Sequence, residues 1–191
     1  MSASLPPDDV RRPGATTPAD IHVVRTPPAP LPARRGGTVV PGVLIGMGLG
    51  GFVDGIVLHQ ILRWHNMLSA VLPPTTMRDM EVNMVFDGYF HAGVWVLTLV
   101  GVVGLWLAGR RGALFPSAGR FLGQLLFGWG LFNLVEGIVD HHVLQLHHVV
   151  DRPRHEPLYD WIFLAVLGVG LLVVGAALMK ERRRETVREN L

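Results

Sequence analysis

Four long apolar runs organise this chain: about Val39 to Trp64, Met84 to Ala108, Phe121 to Leu146 and Leu158 to Met179. Each reaches the roughly 20 residues that an α-helix needs to cross a bilayer core. The pattern predicts an all-α membrane protein with four transmembrane helices. The segment before them is of another kind, with prolines at 6, 7, 13, 18, 27, 28, 30 and 32 and no apolar run of signal-peptide length. The expected division is a disordered tail at 1–38, a bundle at 39–180 and a basic tail at 181–191. His22, in the first tail, is expected to be an ordinary solvated residue.

The polar residues that interrupt the runs form a repeated pattern. Phe52-Val-Asp-Gly-Ile-Val-Leu-His-Gln-Ile-Leu-Arg-Trp-His65 returns 82 residues later as Leu134-Val-Glu-Gly-Ile-Val-Asp-His-His-Val-Leu-Gln-Leu-His147. Asp54 matches Glu136, Gly55 matches Gly137, His59 matches His141 and His65 matches His147. Phe86-Asp87 and Tyr159-Asp160 extend the duplication into the second helix of each hairpin, although Leu164 stands where His91 would be matched. Two hairpins, about 39–108 and 121–180, are therefore expected to be copies related by an axis along the membrane normal.

Charge sets the expected orientation. Arg25, Arg34, Arg35, Arg110, Arg111, Arg120, Lys180, Arg182, Arg183, Arg184 and Arg188 lie on one set of flanks, against Arg78, Arg152 and Arg154 in the other loops. The positive-inside rule then places both termini and the middle loop in the cytoplasm. Asp54 and Glu136 each follow 15 residues of helix, so they lie about 22 Å into a core about 30 Å thick, in its outer third. Asp87 and His91 enter from the outer side, as does Asp160, so the costly residues converge on one extracytoplasmic layer.

An ionisable residue inside a membrane marks a functional site by default. Buried unpaired charges cost several kcal/mol each, which a divalent cation would offset for several groups together. Asp54, His59, Asp87, His91, Glu136 and His141 are the leading candidate ligands. Asp140, His65, His147 and His148 lie nearer water and suit a second metal, supporting hydrogen bonds or an access path. On an ideal helix Glu136, Asp140 and His147 share a stripe, with His141 and His148 beside it and His142 pointing elsewhere. The alternative is an Asp–His hydrogen-bond network that holds helices together or relays protons. Helix capping is the simpler reading for Asp87 and Asp160, and His155, in an outer loop, reads as solvated.

The chain has no cysteine, which excludes disulfides, zinc–thiolate sites, iron–sulfur clusters and covalent c-type haem. A net charge of +2 gives nucleic-acid binding little support. Methionines 67, 77, 80 and 84 follow His65, and thioethers favour Cu(I), although plain apolar contacts explain them as well. Gly42, Gly46, Gly50, Gly51 and Gly55 have the small-residue spacing that lets helices approach closely. The five tryptophans, Trp64, Trp95, Trp106, Trp129 and Trp161, read as interfacial anchors.

The phrases Asp54-Gly-Ile-Val-Leu-His-Gln-Ile-Leu-Arg-Trp-His-Asn-Met67, Asp87-Gly-Tyr-Phe-His91 and Asn133-Leu-Val-Glu-Gly-Ile-Val-Asp-His-His-Val-Leu-Gln-Leu-His-His-Val149 resemble a bacterial family of small membrane proteins carried as a domain of unknown function. The resemblance covers about residues 40 to 180. It implies four helices in a bacterial inner membrane and no particular activity. The pairs His141-His142 and His147-His148 are also similar to the histidine boxes of membrane desaturases, but the spacing differs and a third box is absent, so that activity is not carried over.

Three functions fit these residues. The first is a membrane enzyme with a mononuclear or dinuclear His/carboxylate site for zinc, iron, copper or manganese, opening to the extracytoplasmic side. The second is metal handling, such as copper delivery to a respiratory oxidase. The third is a b-type cytochrome with His59 and His141 as axial ligands. The expected partners are the lipid bilayer, a second copy of the chain or respiratory-chain proteins.

Overall fold

The computed structural model describes residues 37–113, 116–152 and 154–188, with side chains as far as Lys180. The expected N-terminal tail, with His22, and the side chains of the C-terminal basic tail lie outside the described residues. Four helices are long and apolar enough to span a membrane: α1 (Val39–Ile61), α2 (Met77–Arg110), α3 (Ala118–Val143) and α4 (Pro157–Lys180). No β-strand occurs among the described residues.

Local chemistry sets the helix ends. Thr76 caps α2 by accepting from Asp79 N at 3.2 Å, and Ser117 caps α3 by accepting from Arg120 N at 3.4 Å. Pro157 occupies the first turn of α4, where its missing N–H is harmless. Gly112, at φ +77°, ends α2 as the Ala113 N–H reaches back to Ala108 O. Helix α2 begins well before the apolar run, because the Thr76 cap nucleates two turns that extend past the run's first residue, Met84. Asp87 is consequently ten residues inside α2 rather than at its start. The capping reading of Asp87 is thereby corrected.

Helices α1 and α3 form the central pair, with α2 packed on α1 and α4 on α3. Their contact is made by glycine. Gly46 lies against the backbone carbonyl of Leu125, and Gly128 against that of Val43, so a Cβ at either position would collide with main chain that cannot move aside. Small residues let the two backbones approach closely where no hydrophobic driving force separates protein from lipid. The outer faces carry the apolar side chains, including Trp95, Val102, Trp161 and Val173. The interior is the polar side: His59, His65, His147, Asn83, Gln124, Asn133 and Asp87 are the largest fully buried side chains. A bilayer-embedded bundle accepts this inversion, since lipid solvates the leucines and valines while polar groups find partners only inside.

Candidate metal centre

Both central helices change winding at their carboxylates. Helix α1 is π-helical over Asp54–Ile61, and α3 is π-helical over Gly137–Val143, directly after Glu136. In an α-helix residues five apart point away from each other, whereas π winding pairs residue i with i+5. The result brings His59 Nε2 to 3.1 Å from Asp54 Oδ2 and His141 Nε2 to 3.0 Å from Glu136 Oε1.

The helices then stop. Arg63 and Gln145 take left-handed conformations, at φ 57° and 51°, a strained choice for residues other than glycine. These two residues turn the chain back over the helix ends and return His65 and His147 to the same carboxylates. His147 Nε2 lies 2.9 Å from Glu136 Oε1, and His65 Nε2 lies 3.9 Å from Asp54 Oδ1. The expected continuation of α1 to Trp64 and α3 to Leu146 is thus corrected, and the single ideal stripe through Glu136, Asp140 and His147 does not form.

The loops after α1 and α3 lock together above the carboxylates, in hydrogen bonds whose positions correspond at a spacing of 82. His65 Nδ1 donates to Val149 O at 2.9 Å, while His147 Nδ1 donates to Met67 O at 3.2 Å. Ala70 N donates to Leu146 O at 3.0 Å, while Arg152 N donates to Trp64 O at 3.1 Å. The Ser69 hydroxyl closes the seam on Asp151 at 2.6 Å. Asp87 receives Met67 N at 2.8 Å, and Asp160, which stands 73 rather than 82 positions after Asp87, receives Val149 N at 2.8 Å.

These bonds decide which nitrogen of each ring faces inward. A carbonyl can only accept, so Nδ1 of His65 and of His147 must carry a proton. His59 Nδ1 lies 3.0 Å from Asp87 Oδ1, and His141 Nδ1 lies 3.5 Å from Asp160 Oδ1. All four Nε2 atoms are therefore turned toward Asp54 and Glu136, with an oxygen behind each ring. Such an oxygen orients an imidazole and raises its basicity as a ligand. The rings themselves are in contact, with centroids 4.4 Å apart for His59 and His65, 4.7 Å for His65 and His147, and 4.8 Å for His141 and His147.

Two overlapping sets present ligand atoms within 4.8 Å of one another: His59, His65 and His147, and Glu136, His141 and His147. All are buried. Nε2 of His59, His65 and His141 has no hydrogen-bond partner, nor have Asp54 Oδ2 and Glu136 Oε2. Burial first, then the neighbouring His147 and His59, hold the His65 imidazole well below its ordinary value, so its inward nitrogen keeps a free lone pair at pH 7.

The remaining candidates lie around this cluster. Asp87 stands behind His59 and also receives the Asn66 side-chain amide at 2.7 Å. His91 donates its Nδ1 to Asp87 O of its own helix at 2.7 Å and lies outside both sets. Asp140 is half-buried, facing the charges of Glu136, His141, His147 and Asp54 without entering either set. His148 Nδ1 lies 3.0 Å from Asp160 Oδ2, so Asp160 binds loop and ring rather than capping α4, whose cap is Glu156. Burial pushes the His148 imidazole down. His142 Nδ1 donates to Gly137 O, and the ring abuts Trp161. Sequence reasoning passed over Asn66, Ser69 and Asp151. Their signal was available, since Asn66 pairs with His148, and Ser69 with Asp151, when the 82-residue spacing is carried past His65.

Four apolar spanning helices around a buried His/carboxylate cluster define a multi-pass membrane protein with groups that could hold a metal ion. The chain belongs to the family described as predicted membrane protein (DUF2243), which it matches over residues 41–182. No curated protein and no solved structure matches it.

Proposed function

We propose that this protein is a membrane metalloprotein whose centre is built from Asp54, His59, His65, Glu136, His141 and His147. It holds one or two transition-metal ions near the extracytoplasmic face and acts as a non-haem, metal-dependent membrane enzyme. One observation carries the reading: three buried Nε2 atoms and two carboxylate oxygens lack partners, while the rings of His59, His65 and His147 are held from behind through Nδ1 and His141 Nδ1 faces Asp160 at 3.5 Å without a hydrogen bond. An imidazole nitrogen and a carboxylate oxygen at about 3 Å need a proton or a metal cation between them, and one metal ion can serve several such pairs at once. Nitrogen and oxygen ligands in this mixture suit zinc, iron, copper or manganese. Bound there, such a metal would activate water or oxygen. The chain's own part is to orient four imidazoles with Nε2 inward, to exclude bulk water under the interlocked loops and to offer Asp54 or Glu136 as a proton acceptor.

The recurrence of hydrogen bonds at a spacing of 82 supports two copied hairpins, each contributing a carboxylate and two histidines, and hence two equivalent half-sites. The distribution of Lys and Arg supports cytoplasmic termini flanking a bundle at 39–180, in a bacterial inner membrane. Arg63, now outside α1, joins Arg78, Arg152 and Arg154 on the outer side without reversing the bias.

Contact among the rings leaves no slot between His59 and His141 for a macrocycle, which weighs against a b-type cytochrome. The burial of all six residues, none above 6 % exposed, favours a resident ion over one handed to a respiratory oxidase. The test is elemental analysis of the detergent-purified protein. One or two equivalents of a single transition metal per chain, lost in a His59→Ala, His141→Ala double variant, is the expected result. Background metal after growth with each candidate supplied would leave a proton-bearing hydrogen-bond network in its place.

A further inference from the structure

A second cluster of metal-ligating side chains lies outside the buried centre. His148, Asp151 and His155 present ligand atoms within 4.8 Å of one another. They line an open cavity of about 470 Å³ together with Ser69, Pro73, Pro74 and Arg152. The two imidazoles are stacked, with centroids 3.7 Å apart and planes at 29°. His148 and Asp151 are each held by an atom that leaves a ligand position free, while His155 has only Asp160 Oδ2 at 3.9 Å from its Nε2. His148 binds Asp160 through Nδ1, leaving Nε2. Asp151 Oδ2 accepts from the Ser69 hydroxyl and from His148 N, leaving Oδ1. His155 Nδ1 is buried without any hydrogen-bond partner.

We infer that His148, Asp151 and His155 form a second, exchangeable site for a divalent transition metal at the rim of the loops. Two imidazoles and one carboxylate bind such ions while leaving positions open to water or an incoming ligand. Ligand bonds of about 2.0–2.2 Å require these atoms to draw closer than the 4.8 Å within which they lie. In the first hairpin the positions 82 residues earlier than His148 and Asp151 are Asn66 and Ser69, a weaker pair of ligands. The site is therefore particular to the second loop and does not follow from the repeated motif. Asp160 ties it to the buried cluster, since one of its oxygens faces His148 Nδ1 at 3.0 Å and the other faces His141 Nδ1 at 3.5 Å. The outer site is placed to take up an ion from the extracytoplasmic side before it reaches the centre.

Calorimetric titration of Zn²⁺ into desalted, detergent-purified full-length protein tests this. The expected result is one EDTA-labile equivalent per chain that weakens at least tenfold in Asp151→Asn and in His155→Ala, with the metal retained after desalting unchanged in His155→Ala. Zn²⁺ should also shield His148 and His155 of the wild-type protein from diethyl pyrocarbonate, read by peptide mass spectrometry. Equal titration of wild type and variants, or equal labelling with and without Zn²⁺, overturns the inference. Loss of the labile equivalent in a protein that retains no metal after desalting would support the outer site while counting against the buried centre, so the two readings fail separately.

Discussion

His65 and Val149 are 84 positions apart, yet the His65 ring donates to the Val149 carbonyl at 2.9 Å. The bond does two things at once: it pins the loop after α3 over the loop after α1, and it forces the His65 lone pair inward. His147 repays it from the other side through Met67 O. Each loop thus orients the histidine of the other, and neither half of the cluster is complete alone.

This coupling predicts that His65→Ala and His147→Ala each reduce retained metal by more than their own ligand bond. Either change should lower affinity at least tenfold and also lower the thermal midpoint of the protein before metal is added, because a buried carbonyl loses its donor. Elemental analysis with parallel thermal unfolding checks both effects. Weaker metal binding with an unchanged midpoint would show that the loops are held without the rings.

Asp87 supports His59 from behind while also accepting from Asn66 and Met67. Asp87→Asn should leave the fold in place and weaken metal binding about 10- to 100-fold, the usual effect of losing the group behind a ligating imidazole. Competition with a chromophoric chelator measures this. His91→Ala, whose ring is engaged on its own helix, should change affinity far less.

The glycine contact between α1 and α3 sets the separation of the half-sites. Gly46→Leu or Gly128→Leu places a side chain against main-chain carbonyls and should destabilise the bundle by about 1–3 kcal/mol. Because the half-sites move apart with the helices, retained metal should fall in the same variants. Normal metal content in a destabilised Gly46→Leu protein would mean that one hairpin holds the ion unaided.

The depressed His65 imidazole gives a pH dependence with a definite sign. Unfolded, its pKa is about 6.5; folded, it lies below that, so between the two values the unfolded chain binds more protons. Stability from this group is complete above about pH 6.5 and is lost as pH falls toward the folded value. The thermal midpoint of the metal-free wild-type protein, measured relative to that of His65→Gln, should therefore drop between pH 7 and 5.5. A difference between the two that rises on acidification would oppose this assignment.

Much of the site was visible in the chain. All six residues of the cluster stand in the repeated motif, because only a few polar types interrupt otherwise apolar runs. Their ranking was not visible. Asp87 and His91 stood with the leading ligands because depth in a membrane can be counted from sequence, but the structure places one behind His59 and turns the other onto its own backbone. A straight α-helix through Trp64 and Leu146 carries His65 and His147 further out, and the turns at Arg63 and Gln145 bring them back to the carboxylates. The π turns and the left-handed Arg63 and Gln145 are products of packing and loop exchange, for which neither residue type is a signal.

The sequence by itself determined four spanning helices, since an apolar run of about twenty residues matches the thickness of a bilayer core and in lipid must satisfy its own backbone hydrogen bonds as a helix, and it determined where polarity enters them. It also determined the close approach of α1 and α3 through glycine spacing. Only the tertiary structure decided which atoms meet. Hydrogen bonds from one loop to the other choose the tautomer and direction of each histidine, and those bonds join residues about 80 positions apart that no local pattern connects.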